Sequence, residues 1–295
     1  MVDNHKNVPH RRGILLAGGQ ATRLYPTSKS CSKHLLPVYD KPMIYYSLSL
    51  LMLSGITEVF IIVKSDDLLQ YQSLLKDGRH LGMEISYGIQ NQPNGIPEAL
   101  ILAEDFIKDG PVCLVLGDNI LFGSGLQAQL SEASKSEFNT IFTQNVKDPQ
   151  RFGIVLREND KIKKIIEKPS FPCGTEAVLG IYFLDNKACK LAKFLTPSER
   201  NEIEIVDLLN LINETEDLAV KQLTRGAVWF DAGTPNALLE ASNFIAAVQS
   251  RQNSKIACLE EIALRMKFIG SESFFELVSE MPRGSYCDYL EQIND

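Results

Sequence analysis

Short apolar runs alternate with amphipathic segments along the first 122 residues of the chain. Runs with almost no charge predict four buried strands, at residues 13–17, 59–63, 83–90 and 112–116. The segments between them predict helices at residues 42–53, 66–78 and 97–107. This alternation predicts an α/β fold with a doubly wound, mostly parallel (Rossmann-like) sheet and helices on both faces. In such a fold the ligand site lies at the carboxyl ends of the strands.

The pattern changes after residue 122, where predicted strands become more frequent. Strands are predicted at residues 140–146, 153–156, 161–167, 177–184, 218–222 and 228–231, with a hairpin turn at 158–160. Helices are predicted at residues 126–134, 187–195, 205–214 and 235–249. From residue 256 onward the apolar spacing is helical, at Leu259, Ile262, Ala263 and Met266, which predicts a small helical annex.

Charge and hydropathy argue against two classes of partner. A net charge of −7 does not favour nucleic-acid binding, which requires a basic face. No apolar run approaches the roughly 20 residues that span a bilayer. Residues 1–12 are polar and lack the apolar core of a signal peptide. We therefore expect a protein that binds neither nucleic acid nor membrane, with a short flexible leader before its first strand.

The six cysteines form no CxxC pair, and no histidine has metal-ligand spacing with another histidine or a cysteine. In a chain of 295 residues without a signal peptide, this usage indicates reduced thiols and a cytoplasmic location. A structural zinc site is not expected. Any metal should be a hard cation held by carboxylates and phosphates.

The first predicted strand is followed by a loop suited to a polyphosphate. Gly18 and Gly19 break the strand, and the residues after them deliver Arg23 and Lys33. Glycines let a backbone approach an anion closely and offer its N–H groups. Two fixed cations suit a polyphosphate better than a single carboxylate. The alternative is an ordinary strand-to-helix turn with solvated basic residues.

Two aspartates end predicted strands far apart in the chain. Asp118 follows the strand 112–116, and Asp231 ends the strand 228–231. Either could cap a helix. Because strand ends converge in this architecture, both could instead hold one Mg²⁺ against substrate phosphates.

A third strand ends in Glu167-Lys168-Pro169, so Lys168 is a candidate phosphate ligand and Glu167 a candidate acceptor from hydroxyls. A charged strand end of this kind is also compatible with solvated surface.

The segment 123–128 fits the G-x-G-x-x-G/A dinucleotide pattern, but it does not directly follow a strand, so we discount it.

Taken in order, the motifs of the chain closely resemble those of the sugar-1-phosphate nucleotidyltransferases, and within that family the branch that uses dTTP. They are LAGGQATRLYP, SKHLLPVYDKPMIYY, LVLGDNI, RFGIV, EKP, PSERNEIEI, WFDAGT and KIACLEEIA. The match extends from about Gly13 to the C-terminus. The resemblance implies that a thymidylyl group is transferred from dTTP to glucose 1-phosphate, giving pyrophosphate and a dTDP-sugar. It implies Mg²⁺ as the cofactor.

The resemblance also implies a domain organisation and an assembly. A catalytic domain would cover residues 13–250, with a nucleotide-binding half at about 13–122 and a sugar-phosphate-binding half, with a β insertion, at about 123–250. Residues 251–295 would form the helical annex. A homotetramer is the assembly expected from the family.

Site residues follow from the resemblance, position by position. The catalytic residues would be Arg23, Lys33 and Lys168, and the metal ligands Asp118 and Asp231. The nucleotide-binding residues would be Leu16, Gly18, Gly19, Gln20, Ala21, Thr22, Arg23, Gln90, Gly95 and Asp118. The sugar-phosphate-binding residues would be Asn119, Phe152, Gly153, Glu167, Lys168, Val178, Tyr182 and Arg200. Gln90 and Gly95 would contact the base.

The chain departs from the family pattern at four positions. Ala21 replaces a glycine in the triphosphate loop, at a cost of about 1 kcal/mol or more if its φ is positive. His34 stands where glutamine is common. Phe152 stands where tyrosine is common, which removes one hydroxyl from the sugar pocket. Pro97 replaces an alanine in a first helical turn, where proline is tolerated.

Two alternatives to the main interpretation are kept open. A uridylyltransferase, or the same chemistry on another hexose 1-phosphate, would use the same residues, because Gln90 alone cannot separate uracil from thymine. A non-catalytic protein that binds sugar nucleotides would result if Ala21 had damaged the triphosphate loop.

Overall fold

The structure is a computed structural model, and it describes residues 10–215 and 218–293. Its strands are β1 Arg12–Leu16, β2 Pro37–Val38, β3 Lys41–Pro42, β4 Glu58–Val63, β5 Glu84–Ile89, β6 Val112–Leu116, β7 Asn119–Phe122, β8 Asn139–Asn145, β9 Gly153–Glu158, β10 Lys161–Glu167, β11 Glu176–Leu184, β12 Leu218–Gln222 and β13 Val228–Asp231. Its helices are α1 Met43–Leu53, α2 Leu68–Leu75, α3 Glu98–Leu102, α4 Glu104–Ile107, α5 Leu126–Lys135, α6 Asn186–Leu191, α7 Ile205–Asn213, α8 Pro235–Gln252, α9 Leu259–Arg265, α10 Ser271–Ser279 and α11 Ser285–Leu290.

Four parallel strands form one half of the main sheet, in the spatial order β6-β1-β4-β5. They are the four strands that the uncharged apolar runs predict, shifted by a single residue at some ends. Each of the connections between them contains helix, as a parallel pair requires.

The other half of the sheet is built around the long strand β11. It runs antiparallel to β6, β8 and β9, and the β9–β10 hairpin continues the sheet to its edge. The sheet is therefore mixed, with the parallel half in the first part of the chain. The predicted mostly parallel sheet with helices is confirmed, and the β-rich segment extends that sheet.

Neighbouring residues of β1 face two different cores. Leu15 packs with α1, α2 and α5 on one face, whereas Ile14 packs with α3, α6 and α7 on the other, and neither side chain is exposed. Side chains alternate along a strand, so an uncharged run can be buried on both faces. This explains why these strands contain almost no polar residues.

One hairpin turn and one divided helix bear on the sequence predictions. Asn159 and Asp160 both have positive φ, at 51° and 63°, as a two-residue hairpin loop requires, and the predicted hairpin is confirmed. The helix predicted at 97–107 is divided into α3 and α4 at Ala103, where φ is −92° and ψ is 9°.

The ends of the chain bear on the predicted domains. Residues 1–9 of the predicted leader lie outside the described residues, Arg11 is buried, and β1 begins at Arg12. The annex comprises α9, α10 and α11, and Leu259 and Ala263 of α9 are buried in the same core as α1. Its division from the catalytic domain stays a prediction.

Among the described residues, no helix is long and apolar enough to cross a membrane.

Candidate active site

A cleft of about 590 Å³ opens at the carboxyl ends of β1 and β6 and extends along β11 and β13. It is lined by every predicted site residue except Gly18. Residues that the sequence did not single out also line it, among them Arg151, Gly180, Glu204 and Trp229. The structure thus gathers into one cleft residues drawn from position 16 to position 233.

Gly18 is not among the cleft-lining residues, and it packs against the side chain of Gln90, which is one of them. A Cβ atom at Gly18 would come within 2.6 Å of Gln90 Oε1. A side chain at this position would therefore displace the Gln90 amide from its present position.

The loop after β1 is held in a strained conformation at Ala21. Its φ is 53° and its ψ is 33°, which is the left-handed region that glycine adopts without cost. A single helical turn over Thr22–Leu24 follows, and the buried Leu24 anchors it. The loop directs Arg23 across the cleft, where its Nη2 lies 2.7 Å from the position that a Cβ on Gly233 would occupy.

Asp118 and Asp231 lie close together because β7 and β13 form an antiparallel ladder outside the main sheet. Asp231 is in register with Asn119, and the Ala232 amide donates to the Asp118 carbonyl at 3.0 Å. β7 is absent from the sequence prediction, since residues 119–122 directly follow another strand. This ladder is what brings the two carboxylates to one point.

The two carboxylates have opposite electrostatic surroundings. Burial raises the pKa of Asp118, but the Lys33 ammonium that pairs with it outweighs burial and lowers that pKa below its usual value. Burial, and next the charge of Asp118, raise the pKa of Asp231. Arg151 donates to Asp231 Oδ2 at 2.9 Å and offsets part of this effect.

Asn119 is almost fully buried and braces the ladder against the main sheet. Its Oδ1 accepts from the Gly180 amide at 3.0 Å and from Trp229 Nε1 at 2.7 Å, and its Nδ2 donates to Asp118 at 3.1 Å. A Cβ on Gly180 would come within 2.4 Å of Asn119 Nδ2, so only glycine fits there. Asn119 thus fixes the position of the Asp118 carboxylate.

The opposite end of the cleft carries a second group of charges. Arg200 Nη2 donates to Glu167 at 3.1 Å and to Glu204 at 2.5 Å. The backbone amide of Lys168 donates to the Phe152 carbonyl at 3.0 Å, and the Phe152 ring packs on Trp229 with centroids 4.8 Å apart. These contacts place acidic, basic and aromatic side chains together in the lining of the cleft.

Gly95 closes the cleft on the side of β5. Its φ is 115°, and a Cβ there would lie 2.0 Å from the Ile203 carbonyl oxygen. The Ile203 amide donates to the Asn94 carbonyl at 2.6 Å. Glycine is therefore required both by the backbone conformation and by the contact.

The described residues contain no group of three or more His, Cys, Asp or Glu side chains arranged to hold a metal ion. Asp118 and Asp231 offer two neighbouring carboxylates, and a hard cation such as Mg²⁺ takes only one or two from the protein and completes its shell with water and phosphate. The raised pKa of Asp231 beside Asp118 indicates two like charges that a divalent cation would relieve. The donor set therefore fits Mg²⁺.

Three of the additional lining residues, though not Gly180, lie inside motifs that the chain shares with the family. Arg151 precedes Phe152 in RFGIV, Glu204 lies in PSERNEIEI, and Trp229 begins WFDAGT. Their motifs were therefore visible in the sequence. Glu204 pairs locally with Arg200, but the pairing of Arg151 with Asp231 and of Trp229 with Asn119 joins distant segments and depends on the tertiary fold.

Comparison with known proteins gives consistent results. Residues 12–248 match the family model described as nucleotidyl transferase. The chain is 47% identical over 281 residues to a glucose-1-phosphate thymidylyltransferase of Neisseria meningitidis, covering 95% of this chain and 98% of that protein. A crystal structure of a Bacillus anthracis protein described as a glucose-1-phosphate thymidylyltransferase, in complex with a sucrose, superposes with a TM-score of 0.73 at 37% identity, over 79% of this chain and 94% of that one. A UDP-glucose pyrophosphorylase complexed with UDP-glucose superposes with a TM-score of 0.71 at 25% identity, over 82% of this chain and 99% of that one.

Proposed function

The chain belongs to the nucleotidyl transferase family, and on that premise we propose that it transfers a thymidylyl group from dTTP to glucose 1-phosphate. The products are dTDP-glucose and pyrophosphate. Relatives that are 38–47% identical to this chain over nearly its full length are glucose-1-phosphate thymidylyltransferases. Their activity supports the choice of nucleotide and sugar.

One observation carries the proposal. Five cationic side chains line the cleft that holds the carboxylates of Asp118 and Asp231, and they are Arg23, Lys33, Arg151, Lys168 and Arg200. Two phosphorylated substrates would bring several negative charges into this space. The site is therefore built to hold and neutralise phosphates.

The reaction needs orientation and charge neutralisation more than a protein nucleophile. An oxygen of the sugar phosphate attacks the α-phosphorus of dTTP in line, the bond from that phosphorus to the bridging oxygen breaks, and pyrophosphate leaves. The attacking oxygen is already anionic, so no general base has to remove a proton. This chemistry accords with a cleft whose lining, over the described residues, includes neither serine nor cysteine.

Three of these cations take roles in the proposed reaction that the resemblance to the family supports. Arg23, on the loop after β1, neutralises the departing pyrophosphate, and Lys33 steadies the triphosphate. Lys168 holds the attacking phosphate at the end of β10. Asp118 and Asp231 would hold Mg²⁺, which when bound draws charge from the α-phosphate.

The remaining lining residues divide between base and sugar. Gln90 and Gly95 contact the thymine base, and the backbone from Leu16 to Thr22 lines the nucleotide. Glu167 accepts from sugar hydroxyls, with Val178 and Tyr182 beneath the ring and Arg200 fixing Glu167. A homotetramer in the cytoplasm stays a prediction.

The decisive experiment is pyrophosphate release from purified protein with Mg²⁺, over a grid of dTTP and UTP against several hexose 1-phosphates. A maximum at dTTP with glucose 1-phosphate is expected. Turnover with UTP equal to or above that with dTTP would instead establish a uridylyltransferase.

The strained Ala21 favours one alternative of a different class. If its left-handed backbone displaces the triphosphate loop, the protein would bind dTDP-glucose without releasing pyrophosphate from any substrate pair. Isothermal titration with dTDP-glucose, beside the turnover grid, separates this non-catalytic protein from an enzyme.

A further inference from the structure

The amide of Gln90 is held by a carboxylate that the sequence motifs did not identify. Gln90 directly follows β5, lines the cleft and is 4% exposed. Its Nε2 donates to Glu98 Oε2 at 2.6 Å. Glu98 is the first residue of α3, so a helix end fixes the side chain that faces the proposed base.

Glu98 also organises the turn between Gln90 and α3. The Asn94 amide donates to Glu98 Oε2 at 3.2 Å, and Asn94 Nδ2 donates to Glu98 Oε1 at 2.7 Å. One carboxylate thus accepts three hydrogen bonds. It joins Gln90 to the turn that carries Gly95, the other proposed base contact.

The Glu98 carboxylate determines which way the Gln90 amide points. A carboxylate only accepts hydrogen bonds, so the amide group of Gln90 must turn its NH₂ toward Glu98. The oxygen Oε1 then lies over Gly18, where no side chain competes for the space. No described residue donates to Oε1, so this oxygen and the second N–H of Nε2 remain for a ligand.

We propose that Glu98 is a positioning residue that sets base selectivity by fixing the orientation of the Gln90 amide. The proposal rests on the proposed function, in which Gln90 contacts the base of the nucleotide. The selected class is a pyrimidine with an N3–H donor beside a carbonyl oxygen, namely thymine or uracil. The rejected class is cytosine.

The reason lies in the hydrogen-bonding edges of the bases. Thymine offers an N3–H to Gln90 Oε1 and a carbonyl oxygen to the free N–H of Nε2. Cytosine has an acceptor at N3 and donors at N4, which is the reverse pattern. Gln90 could satisfy cytosine only by rotating its amide, and that would place Oε1 against the Glu98 carboxylate. A buried polar group left without a partner weakens binding strongly.

The test compares wild type, Glu98→Gln, Gln90→Ala and the double variant. A glutamine at 98 can donate as well as accept, so Gln90 becomes free to take either orientation. For Glu98→Gln we expect the ratio of kcat/KM for dTTP to that for dCTP to fall by at least about tenfold. The change should appear mainly in KM, with kcat for dTTP within about threefold of wild type.

The double variant separates positioning from a structural effect. If Glu98 acts through the Gln90 amide, adding Glu98→Gln to Gln90→Ala should change the dTTP to dCTP ratio by less than about twofold. An equal loss of selectivity in both backgrounds would overturn the proposal, as would an unchanged ratio in Glu98→Gln. Glu104→Gln, on the surface of α4 and paired with Lys193, is the matched control and should leave the ratio unchanged.

Two further measurements keep the outcome clear. Glu98→Asp, whose shorter side chain withdraws from Gln90, should give the same loss of selectivity if Glu98→Gln does not fold. Calorimetric binding of dTDP and dCDP tests base selection without turnover. If wild type releases no pyrophosphate from any pair, the proposed function fails, and a preference for dTDP that depends on Glu98 still supports the inference.

Discussion

Asp231 stands in register with Asn119 across a two-stranded ladder, one residue from Asp118. The carboxylates of Asp118 and Asp231 are therefore brought together by backbone pairing rather than by a contact between their own side chains. The ladder is braced by the Trp229 indole, which donates to Asn119 at 2.7 Å. Removing one carboxylate should leave this backbone arrangement in place.

Asp118→Asn and Asp231→Asn should each lower turnover at least about a hundredfold while the protein stays folded. Each substitution is nearly isosteric, but the amide removes one negative charge from the proposed metal site. Pyrophosphate release at saturating substrate, with circular dichroism as the folding control, checks this. Near-normal turnover in both variants would contradict the assignment of two metal-binding carboxylates.

Ala21→Gly should stabilise the protein by about 1 kcal/mol, because glycine adopts the left-handed backbone at this position without a Cβ clash. Urea unfolding followed by circular dichroism measures the change. Ala128→Gly, at an exposed position of α5, is the matched control and should destabilise by about 1 kcal/mol. If both substitutions destabilise equally, Ala21 is not strained. A rise in turnover for Ala21→Gly would show that the strain also reaches the triphosphate loop.

The parallel half of the sheet was predictable because its strands are buried on both faces and so contain almost no charge. Ile14 and Leu15 face different cores, and no alternation of polar residues obscures such a run. The positive φ of Asn159 and Asp160 was likewise encoded locally, in residues that tolerate it.

The contacts that complete the cleft could not be predicted from local sequence. β7 follows β6 after two residues and has no separate apolar run, so its pairing with β13 depends on chain segments far apart. Glu98 reads as an ordinary acidic residue in a first helical turn, which the helix dipole favours on its own. Only the fold shows that it holds Gln90.

Arg11→Met should lower the free energy of unfolding by about 3 kcal/mol or more. Arg11 is 6% exposed and donates to four backbone carbonyls, at 3.1 Å to Ser134, 2.7 Å to Val112, 2.9 Å to Leu184 and 3.1 Å to Ser136. The methionine would leave these oxygens without their donor inside the protein. Chemical unfolding monitored by fluorescence measures the loss.

Arg12→Met is the matched control for this effect. Arg12 pairs with Glu58 at 2.9 Å near the surface and donates to one carbonyl, that of Ile107, at 3.0 Å. Its replacement should cost less, at about 1 kcal/mol. Equal losses for the two variants would show that Arg11 contributes no more than an ordinary partly exposed arginine.

His34 should make the protein sensitive to acid. Burial, and next the Lys33 ammonium, lower the pKa of His34 from its usual 6.5 to about 4. The unfolded chain therefore binds a proton between pH 6.5 and pH 4 that the folded protein excludes. Because the unfolded state gains that proton first, stability falls as the pH drops through this window, by up to roughly 3 kcal/mol.

His34→Gln removes this titration, and its Tyr71 neighbour can still hydrogen-bond to the new amide. Urea unfolding at intervals from pH 7.5 to pH 4 should therefore show a smaller loss of stability for the variant than for wild type. Carboxylates with lowered pKa values, such as Asp40 and Glu176, also lose stabilising interactions on acidification, but they do so equally in both proteins. The difference between the two curves isolates His34. If the curves stay parallel over the whole range, the neutral buried imidazole is not the cause of the acid sensitivity.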